Sequence, residues 1–205
     1  MNFGITWIRH GKTKSNEEHR YLGKTDEELS ETGIAEMQRL GTAIAHSKGR
    51  LANGNYLVSS PMKRCMQTAE ILFKRQPDLL IPQWEEMDFG LFEGKNYLEL
   101  QGDFLYQAWI DSNGTMPFPD GESSEVFIGR CMDGLKQLLE ACNKFEAEQR
   151  NITAVVHGGT IMAILSNLTG EEYFDFQVKN GMGYQTVCDW ESGVITLSEI
   201  KEIEI

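Results

Sequence analysis

Short apolar strands alternate with amphipathic helices along this chain, and the alternation restricts its fold more than any other feature. Residues 3–8 and 152–156 are β-rich apolar segments of the kind that form buried strands. Further strands are predicted at 56–59 and 79–84 and as a pair within 184–200, and helices at 30–48, 61–75, 123–148 and 160–168. Strands separated by helices favour an α/β sandwich with a mostly parallel sheet.

The whole chain, residues 1–205, is predicted to form one domain, because this length suits a single core with one insertion. Residues 90–121 are interrupted at short intervals by glycine and proline, and they form the predicted insertion. Six aromatic residues in and beside it are interpreted as insertion core, with one or two left open as pocket lining: Phe89, Phe92, Tyr97, Phe104, Tyr106 and Trp109.

The charge balance excludes several classes of partner. A net charge of -12 repels nucleic acid and anionic membrane surfaces, and no apolar run approaches the ~18 residues of a membrane helix. The apolar segment at 3–8 is too short for a signal peptide, so we expect a cytoplasmic protein. The four cysteines lack paired spacing, which indicates buried thiols and neither a disulfide frame nor a zinc site.

Polar side chains follow each of the first four predicted strands. In strand order they are Arg9 and His10, then Ser60 and Arg64, then Glu86, then His157. Because ligands of open α/β sheets bind at the carboxyl ends of parallel strands, we expect these side chains to meet at one edge. Helix N-termini at the same edge add backbone N–H donors, and Ser60 is predicted to cap the helix that follows it.

Two arginines, two histidines and a carboxylate together suit phosphoryl transfer. Guanidinium groups neutralise phosphoryl oxygens, and a neutral imidazole attacks phosphorus and carries the group as phosphohistidine. A carboxylic acid protonates the departing alkoxide. Since arginines supply the positive charge, and the sequence has neither an HExxH nor a GxxxxGK[ST] motif, we predict no metal and no other cofactor.

Four sequence blocks in a fixed order span most of residues 5–160. They read RHGKTKSN at 9–16, SSPMKRCMQTA at 59–69, EMDFGLFEG at 86–94 and VHGG at 156–159. In these blocks the chain resembles the histidine phosphatase superfamily, also called the phosphoglycerate mutase-like family. The resemblance implies a three-layer α/β/α sandwich with a mixed, mostly parallel sheet, and chemistry without a metal.

The resemblance also implies a role for individual residues. His10 matches the nucleophile that becomes phosphorylated, and Glu86 matches the acid/base that serves the leaving group. For Asn16, capping of the short helix that follows remains open beside a phosphate contact. The residues implied to surround the phosphate are Arg9, His10, Asn16, Arg64, His157 and Gly158.

The leading functional interpretation is a phosphatase acting on a small phosphorylated metabolite. Residues 89–95 and 109–123 are most similar to the α-ribazole phosphatases of cobalamin biosynthesis. Two alternatives stay open: a cofactor-dependent phosphoglycerate mutase, which the short 94–157 separation disfavours, and a phosphoprotein-binding or regulatory module, which retention of the full residue set disfavours. The sequence leaves both a monomer and a homodimer open.

Overall fold

A computed structural model of the chain describes residues 1–46, 56–112, 114–144 and 150–203. The strands within these ranges are β1 (Asn2–Arg9), β2 (Tyr56–Ser59), β3 (Leu79–Leu80), β4 (Asn151–Val156), β5 (Gly183–Glu191) and β6 (Val194–Glu202). The α-helices are α1 (Lys14–Glu17), α2 (Glu31–His46), α3 (Lys63–Phe73), α4 (Phe104–Asp111), α5 (Ser124–Cys142) and α6 (Gly158–Thr169). Short 3₁₀ turns lie at Pro82–Trp84, Gly90–Phe92 and Tyr173–Phe176.

The strands form one mixed sheet in the order β3-β2-β4-β1-β5-β6. Strands β3, β2, β4 and β1 run parallel to one another, as predicted. Strand β5 pairs antiparallel with β1, and β6 returns along β5 as a hairpin. The four parallel strands therefore present their carboxyl ends at a single edge.

Helices cover both faces of the sheet, because apolar side chains alternate along its strands. Phe3, Ile5 and Trp7 of β1 pack into the cluster that contains the apolar side chains of α5 and α6. The side chain of Ile8 lies on the other face of the sheet, where it packs with Met37 of α2 and with residues of α3. The predicted three-layer α/β/α sandwich is confirmed.

The chain leaves neighbouring strands toward opposite faces of the sheet. The helices that follow β1 and β2 pack on one face, whereas α6, which follows β4, packs on the other. A crevice opens where connections diverge in this way, at the carboxyl ends of β1 and β4. The topology thus places the residues after these two strands in a natural ligand site.

Two local predictions are wrong. Strand β3 stops at Leu80 rather than at residue 84, because Pro82 has no N–H to continue the ladder and starts a 3₁₀ turn instead. Helix α3 begins at Lys63, with Met62 in the capping position and without a side-chain cap. Ser60 is therefore not the N-cap residue, although its hydroxyl accepts from the Met62 N–H at 3.4 Å.

The ends of two predicted helices, at residues 48 and 148, lie outside the described residues. The aromatic segment fits its prediction only in part, since Phe92 is buried but Tyr97 and Phe104 are 60% and 83% exposed. Phe104 is the first residue of α4 and projects from its exposed side. Among the described helices, none has the length and apolar content required to cross a bilayer.

Candidate active site

His10 and His157 lie side by side because of the register of β1 and β4. Arg9 is paired with Val156 across the two parallel strands, so the next residue of each strand occupies an equivalent position at the sheet edge. The His10 backbone N–H donates to the Val156 carbonyl at 2.9 Å. The two imidazole centroids are 5.2 Å apart with the rings at 65°, and both rings are buried. Strand pairing alone brings the two histidines together.

The tautomer of His10 is set by its own chain neighbour. Its Nδ1 lies 2.7 Å from the Gly11 carbonyl oxygen, which can only accept, so Nδ1 carries the proton and Nε2 keeps its lone pair. Burial lowers the pKa of His10 well below its ordinary value, and the charges of Arg64 and Arg9 lower it further. The ring is therefore neutral at physiological pH and has a free lone pair on Nε2.

His157 takes the opposite tautomer. Arg64 Nε donates to His157 Nδ1 at 3.2 Å, so the ring proton resides on Nε2, which donates to Ser60 Oγ at 2.9 Å. Burial, followed by the charge of Arg64, lowers the pKa of His157 well below 6.5. The site thus holds two neutral imidazoles, one with a free lone pair and one with an N–H donor.

Two guanidinium groups, that of the buried Arg64 and that of the partly buried Arg9, supply the positive charge. Arg64 is fully buried and donates to the carbonyls of Gly23 at 2.8 Å and Thr25 at 3.0 Å. Arg9 donates from Nη1 to the Val178 carbonyl at 2.7 Å, whereas its buried Nε has no hydrogen-bond partner in the described ranges. Within those ranges neither guanidinium forms a salt bridge, so both charges remain available to an anion.

Glu86 follows β3 and faces the same crevice. Its side chain is 9% exposed and accepts hydrogen bonds from the Met87 N–H at 3.0 Å and the Gly159 N–H at 3.3 Å. Burial raises the pKa of Glu86, against the opposing effects of these N–H groups and of Arg64 and Arg9. The carboxyl therefore keeps its proton to a higher pH than an exposed glutamate.

The other two predicted phosphate contacts lie beside this group. Asn16 lies inside α1, where its side chain accepts from the backbone N–H of Thr13, the N-cap residue of a capping box. The prediction that Asn16 caps a helix that follows it is therefore wrong. Its Oδ1 also accepts from Asn180 at 3.2 Å. Gly158 begins α6, and a β-carbon there would stand 3.4 Å from Arg9 Nε. Asn16 is thus connected through Asn180 to the His10 backbone and Gly158 lies against Arg9, while a phosphate contact of either residue stays a prediction.

Two further residues contact the histidines in ways that the sequence does not predict. Ser60 lies at the expected sheet edge, but its hydroxyl accepts from His157 Nε2 as well as from the Met62 N–H. Asn180 donates to the His10 carbonyl at 2.9 Å and also reaches the Gly11 carbonyl. The SSP block contained a signal for Ser60, whereas Asn180 lies in a loop far along the chain, where no local pattern marks it.

Comparisons with known proteins agree with this geometry. The family model of the histidine phosphatase superfamily (branch 1) matches residues 5–201. A broad-specificity phosphatase of Saccharomyces cerevisiae is 29% identical and aligns over 81% of this chain and 70% of its own. The α-ribazole phosphatase of Shigella flexneri superposes with a TM-score of 0.73 at 25% identity, covering 97% of this chain and 95% of that one. A phosphoserine phosphatase mutant from Entamoeba histolytica, in complex with phosphoserine, has the same TM-score at 27% identity, covering 96% and 95%.

Proposed function

The chain belongs to the histidine phosphatase superfamily and is a phosphatase, and from this premise we propose that it hydrolyses phosphomonoesters of small metabolites through a phosphohistidine on His10. One observation carries the proposal. The free Nε2 belongs to a neutral, buried imidazole that experiences the charges of two guanidinium groups, and no carboxylate of the described residues forms a salt bridge with either group. A phosphoryl dianion fits this charge pattern, and a neutral ring is the form that attacks phosphorus.

The proposed reaction has two steps. In the first, His10 Nε2 forms a bond to phosphorus while the bond from phosphorus to the ester oxygen breaks, and Glu86 gives its proton to the departing alkoxide. In the second, the Glu86 carboxylate takes a proton from water as the water oxygen attacks phosphorus. The P–N bond then breaks, and inorganic phosphate leaves. Arg9 and Arg64 stabilise the equatorial oxygens in both steps.

For the substrate we propose an α-ribazole phosphate, which makes a small phosphorylated metabolite the partner of this site. The resemblance at residues 89–95 and the structural likeness to the Shigella flexneri α-ribazole phosphatase support it. Phosphoserine is the second candidate, favoured by an Entamoeba histolytica relative with an equal TM-score. A mutase would use the same phosphohistidine but return the phosphoryl group to a phosphoglycerate rather than to water.

The nucleophile is tested by His10→Ala, with the exposed His46→Ala on α2 as the matched control. We expect turnover of an aryl phosphate to fall by on the order of 10⁴-fold or more in the first variant and to stay unchanged in the second. Rapid quenching of the unaltered enzyme should trap an acid-labile phosphoenzyme, which His10→Ala does not form. Substantial turnover by His10→Ala would refute the assignment.

The substrate is tested by comparing kcat/KM over α-ribazole phosphate, phosphoserine, 3-phosphoglycerate, sugar phosphates and phosphopeptides. The proposal expects α-ribazole phosphate to rank first and inorganic phosphate to be released from it. A preference for phosphoserine would select the second candidate. Isomerisation of 3-phosphoglycerate without release of phosphate would establish a mutase, and selective action on phosphopeptides would move the partner to proteins.

A further inference from the structure

Arg130 of α5 contacts the segment that carries Glu86 at three successive points. Its Nη1 donates to the carbonyls of Gln83 at 2.8 Å and Glu85 at 2.6 Å, and its Nη2 donates to the carbonyl of Glu86 itself at 3.0 Å. The segment belongs to no regular strand or α-helix, so it has few backbone bonds of its own. The rigid, planar guanidinium group of Arg130, carried on the long helix α5, supplies hydrogen bonds in place of regular backbone pairing.

Glu122 orients the Arg130 guanidinium group and balances its charge. Its two carboxylate oxygens accept from Arg130 Nε at 2.7 Å and Nη2 at 2.9 Å, a bidentate ion pair in which the Glu122 side chain is only 12% exposed. Glu122 also contacts the chain on the C-terminal side of Glu86, since its backbone N–H donates to the Asp88 carbonyl at 2.9 Å. The pair therefore clamps the chain on both sides of Glu86.

A cavity of about 580 Å³ adjoins this clamp. Glu86 lines it together with Arg130, Glu122, Asp88, Glu85 and Lys24. Lys24 is within 3.4 Å of Asp88 and is 70% exposed, so it adds little to the field at the carboxyl. The cavity thus adjoins the backbone segment that the Arg130–Glu122 pair holds.

We propose that Arg130, paired with Glu122, is a positioning residue that holds Glu86 where it can protonate the leaving group. The inference rests on the proposed function, since it assigns a supporting pair to the acid of that reaction. Arg130 itself neither transfers a proton nor contacts the phosphoryl group in this proposal, because its nitrogens donate to backbone carbonyls and to Glu122. Its effect is transmitted through the backbone and through its charge.

Several other groups face Glu86 and contribute to its protonation. They are Arg9 of β1, Arg64 and Cys65 of α3, Arg130 and Cys131 of α5, and Tyr173. The cysteine and tyrosine pKa values are raised by burial, so these groups are neutral at physiological pH. Of the cations, Arg130 is the one whose charge a bidentate carboxylate balances.

The first test is Arg130→Lys, with Arg39→Lys on the exposed side of α2 as the matched control. Lysine keeps the charge but cannot bond three carbonyls and a carboxylate at once. We expect kcat for an alkyl phosphate to fall on the order of 10- to 100-fold, since misplacement of a catalytic group by about 1 Å costs that much. An activated aryl phosphate, whose leaving group needs little protonation, should lose less than about 3-fold. Inhibition by inorganic phosphate should stay unchanged.

The second test is Glu122→Gln, which keeps an acceptor for Arg130 but removes the balancing charge. An uncompensated cation beside Glu86 favours its carboxylate, so the basic limb of the pH profile for the alkyl phosphate should shift to lower pH. A purely structural role would lower activity without moving that limb. If Arg130→Lys does not fold, as judged by circular dichroism, the limb shift in Glu122→Gln decides the question.

The outcomes separate the two proposals. If the unaltered enzyme hydrolyses neither ester, the proposed function is wrong whatever the variants do. If it hydrolyses both and Arg130→Lys loses equally on each, or if the basic limb of Glu122→Gln does not move, the positioning role is overturned and the proposed function stands. Selective loss on the alkyl ester together with a shifted limb establishes the clamp.

Discussion

The backbone N–H of Gly159 donates to Oε2 of Glu86 at 3.3 Å, so the first turn of α6 directly contacts the candidate acid. No side chain fits between them. A β-carbon on Gly159 would overlap Oε1 of Glu86 and would lie 3.1 Å from the Phe127 ring. The glycine that follows the His-Gly pair is therefore required for space, and the acid and the helix N-terminus form one unit.

Gly159→Ala should displace the Glu86 carboxyl without removing it. We expect hydrolysis of an alkyl phosphate to fall by roughly 10²-fold, with a smaller loss on an activated aryl phosphate. Gly129→Ala in α5 is the matched control, because a β-carbon there meets nothing within 4 Å and should stabilise the helix by about 0.5–1 kcal/mol. Full alkyl phosphatase activity in Gly159→Ala would show that the contact is not needed.

Glu86→Gln should remove the proton donor and leave the phosphate pocket intact. The loss should reach about 10²–10⁴-fold for esters with poor leaving groups and be much smaller for activated aryl esters. Glu85→Gln serves as the neighbouring control, since Glu85 lines the adjoining cavity and its side chain makes none of the contacts of Glu86 with Met87 and Gly159. Equal losses on both ester classes would move the acid role to another carboxylate.

Stability should fall as the solution is acidified below the ordinary histidine pKa. The pKa values of His10 and His157 lie well below 6.5 in the folded protein, so the unfolded chain binds more protons as the pH drops through that value. The free energy of unfolding then decreases with falling pH. The raised pKa of Glu86 acts in the opposite sense above its ordinary 4.5, where the folded state holds the extra proton.

Urea unfolding of the unaltered protein and of His10→Ala, between about pH 7.5 and about pH 5.5, isolates the contribution of His10. We expect the free energy of unfolding of the variant to fall less over this interval, whatever its absolute value, because one of the two histidines with a lowered pKa is absent. Identical slopes for both proteins would mean that the His10 ring titrates normally in the fold.

Chelation should leave turnover unchanged. Positive charge in the site comes from the guanidinium groups of Arg9 and Arg64, and the described part of the chain has no group of three metal-ligating side chains. Activity on an aryl phosphate after dialysis against EDTA, compared with a sample resupplied with Mg²⁺ or Zn²⁺, measures this directly. A dependence on added metal would contradict a pocket built on arginine.

Local pattern sufficed for most of the architecture. The apolar character of residues 3–8 predicted the buried strand β1, and the repeated strand-to-helix order implied parallel pairing. Local pattern failed at Pro82, where a missing N–H ended β3 early, and at Ser60, which is not the predicted helix cap and contacts His157 instead. A helix cap can be predicted from neighbouring residues. The contact with His157, 97 positions away, depends on strand pairing and cannot be predicted locally.

From the sequence alone came the identities of the site residues and their places after the strands, because residue type and strand position are encoded locally. Tertiary structure alone decided which ring nitrogen of His10 is free, that burial raises the pKa of Glu86, and that Asn180 and Arg130 donate to the backbone carbonyls of these two residues. Tautomers and pKa values depend on burial and on partners distant in the chain. The protonation free energies of these groups depend on contacts that form only in the folded protein, and the periodicity of the sequence does not encode those contacts.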